Sequence, residues 1–93
     1  MAVRVLCNFY LKDDGHLEEQ MKIMIDASLK DKGCISYQFY QNFLNKDEYI
    51  MVEHWESKEL LDAHMKTKHF ADVIEYTNKI AIKPAVIKVI EEK

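Results

Sequence analysis

Val52-Glu53-His54-Trp55-Glu56-Ser57, followed by Leu61, Ala63-His64 and His69-Phe70, collects the only tryptophan and three of the four histidines of the chain. Imidazole changes charge near neutral pH, so His54, His64 and His69 are candidate bases, with His64 the leading one. Glu53 shares a strand face with Met51 and Trp55, where a carboxylate must be paired or hold its proton more tightly than usual. Glu53 is therefore a second candidate for proton chemistry. Asn8, in an otherwise apolar strand, can donate from its amide to an oxyanion. Tyr37, Phe39, Trp55, His69, Phe70 and the methionines can wall a dry pocket. Such a set can take a proton within an apolar pocket and stabilise the resulting anion. Each residue also has a purely structural alternative. Asn8 can bond to a nearby loop, Trp55 can be a core or dimer-face residue, and Glu53 can sit in an ion pair. The histidines can be satisfied structural or surface groups. His54 alternates away from Trp55, and His16 reads as solvated.

The elements that must position these groups follow from periodicity. Val3 to Tyr10 is rich in β-branched and aromatic residues and reads as a strand. Lys12-Asp13-Asp14-Gly15 is a turn, with Asp13 or Asp14 available to cap a helix from His16 to Asp31. Leu17, Met21, Met24, Ile25 and Ser28 fall on one face of that helix. Gly33 ends it. Cys34 to Phe43 is a second strand, with Ile35, Tyr37 and Phe39 on one face. A polar turn at Leu44-Asn45-Lys46-Asp47 leads into a third strand, Glu48 to Glu56. Ser57 caps a helix from Lys58 to Met65, and Thr67 begins another helical stretch. Pro84 is expected to break it, with Ala85 to Ile90 the last strand. The order is β-α-β-β-α-β, the ferredoxin-like α+β arrangement of an antiparallel sheet with helices on one face. Large apolar residues occupy both faces of the strands, so the sheet needs a second cover, and a homodimer through it is expected.

Composition narrows the function. The 93 residues make one domain, 1–93, with 48% hydrophobic and 31% charged residues, the balance of a soluble globular protein. A formal net charge of −3 with scattered basic residues argues against nucleic acid as a partner. No apolar run reaches membrane-spanning length, and the first residues lack signal-peptide order, so a cytoplasmic location is expected. Cys7 and Cys34 lack metal-binding spacing and read as buried, reduced thiols. His64 and His69 are five apart rather than the four of paired helical metal ligands, so no metal is expected. Dinucleotide, P-loop, zinc-protease and nucleophile-elbow motifs are absent.

Gly33-Cys34-Ile35 before Tyr37, then Val52-Glu53-x-Trp55-x-Ser57, Leu61, Ala63-His64 and His69-Phe70 resemble the antibiotic biosynthesis monooxygenase family over nearly the whole chain. The resemblance is greatest to its small quinol monooxygenases. It implies a dimeric α+β barrel that oxidises a quinol or related electron-rich aromatic with O₂, without metal, flavin or other cofactor. Haem-degrading members use an asparagine, a tryptophan and a histidine ligand whose positions fall here on Asn8, His64 and Ile74. Isoleucine cannot ligate iron, which argues against that branch. Two alternatives remain open: an isomerase or degradative enzyme for a small polar carbonyl metabolite, and a ligand-binding protein without turnover.

Overall fold

The computed structural model describes residues 1–92. The elements are β1 (Val3–Leu11), α1 (Leu17–Leu29), β2 (Cys34–Gln41), β3 (Glu48–Trp55), α2 (Lys58–His64), α3 (Lys68–Ile80) and β4 (Ala81–Glu91). The strands form one antiparallel sheet in the order β2-β3-β1-β4, with the helices on one face, a ferredoxin-like fold. The strict alternation of β1 explains its central place. Val3, Val5, Cys7, Phe9 and Leu11 are all buried beneath the helices. Burying each large side chain of this kind contributes about 1.5–3 kcal/mol. Tyr49, Met51, Glu53 and Trp55 continue the same face on β3. Helix α1 lays Leu17, Met21, Met24 and Ser28 onto it.

Several local expectations change for identifiable reasons. Neither Asp13 nor Asp14 caps α1. Each accepts a bond two residues on, from the Gly15 and His16 amides at 2.8 and 3.0 Å, and the cap position falls on His16. Strand β2 stops at Gln41 because Asn42 and Asn45 form similar turns with the amides of Leu44 and Asp47. Ile35 is half exposed rather than facing the helices. Cys34 pairs with Trp55 and Ser36 with His54, so Ile35 is the extra residue of a β-bulge. Pro84 does not end α3. The helix stops at Ile80, and Pro84 lies within β4, at the sheet edge, where the register with β1 shifts between the pairs Asn8–Val86 and Tyr10–Lys83. An edge strand with a bulge tolerates a residue that cannot donate.

Gly33 carries the turn from α1 into β2. Its φ of +87° is one that side-chain-bearing residues rarely adopt, and a Cβ there would lie 2.4 Å from Leu60 Cδ1. Gly33→Ala is expected to destabilise the fold by about 2–4 kcal/mol, from backbone strain plus overpacking. Urea denaturation checks this, and a loss below about 1 kcal/mol would show that α2 can move away from the turn.

Candidate functional site

Between the sheet and helices α2 and α3 lies a cavity of about 70 Å³. Its wall is mostly apolar, built from Val5, Cys7, Phe9, Met24, Met51 and Leu61 with further residues of α3 and β4. Three polar side chains join it: Tyr37, Glu53 and His64. Ile87 and Val89 contribute from β4, where both remain about half exposed, so the cavity opens toward that edge.

His64 is placed by a short helix with well-defined ends. Ser57 caps α2 by accepting from the Leu60 amide at 3.2 Å. Two hydrogen bonds from Thr67, one from its amide at 3.1 Å and one from its hydroxyl at 2.7 Å, end on the His64 carbonyl. The same Thr67 hydroxyl accepts from the Phe70 amide and caps α3. Thr67 thus fixes the break between the helices and brings His69 beside His64, with ring centroids 5.7 Å apart. The His64 ring is also packed against Trp55 at 4.6 Å, Phe70 at 5.4 Å and Tyr37 at 5.5 Å.

Asp31 completes the arrangement. It follows α1, where its amide donates to Ser28 and its carbonyl accepts from Cys34. One oxygen, Oδ2, lies 2.8 Å from His64 Nδ1 and 2.7 Å from His69 Nε2. Burial pushes the Asp31 carboxyl up, but the bonds from His64 and His69 outweigh it and hold the group below the usual range. The carboxylate is therefore ionised and can only accept, which requires both rings to donate to it. His64 then carries its proton on Nδ1 and a lone pair on Nε2. That Nε2 is buried and has no hydrogen-bond partner among the described residues. Burial also holds His64 below the ordinary imidazole range, with Asp31 only partly offsetting it, so the neutral form prevails near pH 7. An oriented, neutral imidazole with an open nitrogen on an apolar cavity is equipped to accept a proton.

Glu53 is 6% exposed, and burial raises its pKa to about 7. Bonds to its carboxyl from Trp55, 2.9 Å from Nε1 to Oε1, and from Tyr37 pull the other way without cancelling the rise. Near neutrality Glu53 can donate a hydrogen bond when protonated and accept one when ionised. Cys7, also on the wall, is a different case. Burial, then Glu53, push its thiol up to about 12, so it stays protonated and unreactive. Cys34 is only half buried, its thiol raised to about 11.

The sequence candidates thus separate. His64, Glu53, Tyr37 and Phe70 line the cavity. Trp55, fully buried, and His69 stand directly behind His64 rather than on the wall. Phe39 is elsewhere: it stacks on Tyr49 at 5.3 Å and meets Phe9 edge-on. Asn8 lies on the opposite face of the sheet, where its amide reaches Glu48 at 3.3 Å. The structure does not bring Asn8 or Phe39 to His64. Asp31 is the residue that the sequence did not single out.

A family model described as antibiotic biosynthesis monooxygenase matches residues 12–76. An uncharacterized protein of Synechocystis is 34% identical over 65 residues, which cover 70% of this chain and 44% of that protein. The chain therefore spans under half the length of that relative. Among solved structures, a conserved protein from Methanosarcina mazei Go1 is 29% identical with a TM-score of 0.88, covering 100% of this chain and 94% of that one. A protein from Bacteroides thetaiotaomicron, described as of unknown function and a possible oxidoreductase, is 26% identical with a TM-score of 0.87, covering 98% and 97%.

Proposed function

The chain belongs to the antibiotic biosynthesis monooxygenase family, and from that premise we propose that it oxidises a quinol or related small electron-rich aromatic with O₂ and without a cofactor. The observation that carries this reading is the open, buried Nε2 of His64 on an apolar cavity, with Asp31 behind it. An apolar wall suits an aromatic ring better than a polar carbonyl metabolite. His64 takes the phenolic proton, and Asp31 stabilises the imidazolium that forms. Protonated Glu53 donates to the developing oxyanion. The electron-rich anion then reacts with O₂. One oxygen atom enters the ring and the other leaves as water, with the quinol supplying the electrons and both hydrogens.

The cavity of about 70 Å³ is smaller than the roughly 150 Å³ that accommodates benzene in an engineered protein core. Ring binding therefore requires the wall to yield. Met24, Met51 and Met65 line it, and unbranched methionine side chains adapt readily. The outer face of the sheet carries Leu6, Ile50, Val52, Val86 and Ile90, which supports a homodimer packed through that face.

Oxygen uptake with freshly reduced quinols, corrected for autoxidation, tests the reading. Uptake above the blank is expected, and His64→Ala should lower it by ~100-fold or more. No protein-dependent uptake across the panel would overturn it. Proton-transfer chemistry by the same Glu53 and His64, without oxygen, would then take its place.

A further inference from the structure

Asp31, His64 and His69 each offer one ligand atom, and the three atoms lie within 4.8 Å of one another. They come from three places in the chain: the turn after α1, the end of α2 and the start of α3. Two imidazoles and one carboxylate form a donor set suited to first-row divalent ions such as Zn²⁺, and a poor one for Mg²⁺ or Ca²⁺. We propose that Asp31, His64 and His69 bind a divalent transition-metal ion, and that its binding blocks the base on the other side of the His64 ring.

The present spacing is that of hydrogen bonds, with 2.8 and 2.7 Å between each ring nitrogen and Asp31 Oδ2. Around a tetrahedral ion with bonds near 2.1 Å, neighbouring donor atoms stand about 3.4 Å apart. The three side chains must therefore shift: each Asp31 contact lengthens by less than 1 Å, and the two ring nitrogens, which stand within 4.8 Å of each other, come to the same spacing. The two that can do so are the ones that reach solvent, His69 at 22% and Asp31 at 19% side-chain exposure, against 1% for His64. The ion enters from outside, and its fourth position faces solvent rather than the cavity.

The consequence for His64 follows from the chemistry of imidazole. The neutral ring carries one proton. A metal at Nδ1 needs the lone pair there, so the proton moves to Nε2. The nitrogen that would accept the substrate proton becomes a donor. No proton is gained or lost overall by His64. Metal binding itself is independent of the proposed oxygenation, whereas the block rests on His64 being the base.

Zn²⁺ binding to the intact protein, measured by competition with a chromophoric chelator, tests the site without any substrate. One equivalent is expected to bind. His69→Phe, which removes one ligand at a partly exposed position, is expected to weaken binding by more than ~100-fold. Even loss of a group that only supports a ligand costs ~10–100-fold. Asp31→Asn provides a second variant should His69→Phe misfold. No saturable binding, or binding unchanged in both variants, would overturn the site. In ¹⁵N-resolved NMR of the imidazoles, Zn²⁺ should move the His64 proton from Nδ1 to Nε2. Binding without that change would overturn the block while leaving the site. Failure of every quinol to react leaves both of these readouts intact.

Discussion

Asp31→Asn is expected to lower kcat for quinol oxidation by ~10²–10⁴-fold while changing KM only a few-fold. The substitution preserves size and hydrogen-bonding capacity but removes the charge that both imidazoles face. Two losses follow. The imidazolium formed when His64 takes a proton no longer has a carboxylate beside it. The amide can also turn its NH₂ toward Nδ1, which drives the His64 proton to Nε2 and leaves the wrong tautomer facing the cavity. The same exchange in a Ser-His-Asp triad costs about 10⁴ in kcat with the geometry intact. The smaller end of the range applies if solvent, which reaches Asp31, supplies part of the missing charge. Steady-state kinetics, with thermal unfolding to verify the fold, measures the effect. A kcat within twofold of the parent would reduce Asp31 to a structural partner, and an effect confined to KM would place it in ground-state binding.

Asp31 also shows where sequence reading reaches its limit. The partners of its carboxylate lie 33 and 38 residues further along, and nothing local marks it. Read alone, it is one of three polar residues, Lys30-Asp31-Lys32, before a helix-ending glycine. By contrast, the strands, the helix faces and the caps at Ser57 and Thr67 were legible because each is a local pattern. Asn8 was partly legible. It alternates with Cys7 and Phe9, and parity alone places it on the far side of β1 from them. The same parity rule failed at Ile35, because a bulge adds a residue without leaving any sign in the alternation. Pro84 misled for a related reason. Proline disfavours strands in general, and only the sheet order shows that β4 is an edge. The sequence places His64 and His69 on successive helices, but only the fold shows how closely the break fixed by Thr67 brings their rings together.

Glu53→Gln is expected to stabilise the protein by about 3 kcal/mol at pH 8 and by little at pH 4.5. Burial raises the Glu53 pKa from 4.5 to about 7 in the folded state. At 1.36 kcal/mol per pKa unit, the folded protein then bears a cost of about 3 kcal/mol once the carboxyl must ionise. The sign follows from which state holds the proton more tightly. Below about pH 4.5 Glu53 is protonated whether folded or unfolded, and its contribution is fully favourable. Between 4.5 and 7 the unfolded chain ionises first, and stability declines as pH rises through that window. His64 acts in the opposite direction. Its lowered pKa removes stability as pH falls below 6.5, so the parent curve alone confounds the two groups. The difference between the parent and Glu53→Gln isolates the carboxyl, because the glutamine oxygen can still accept from Trp55 Nε1. Urea denaturation at several pH values measures this difference. Parallel curves from pH 4.5 to 8.5 would mean that Glu53 ionises as easily folded as unfolded. A carboxyl of that kind would be charged at neutral pH and unable to donate to an oxyanion. The stability curve therefore decides, without any substrate, whether Glu53 can supply the hydrogen bond that the proposed reaction needs.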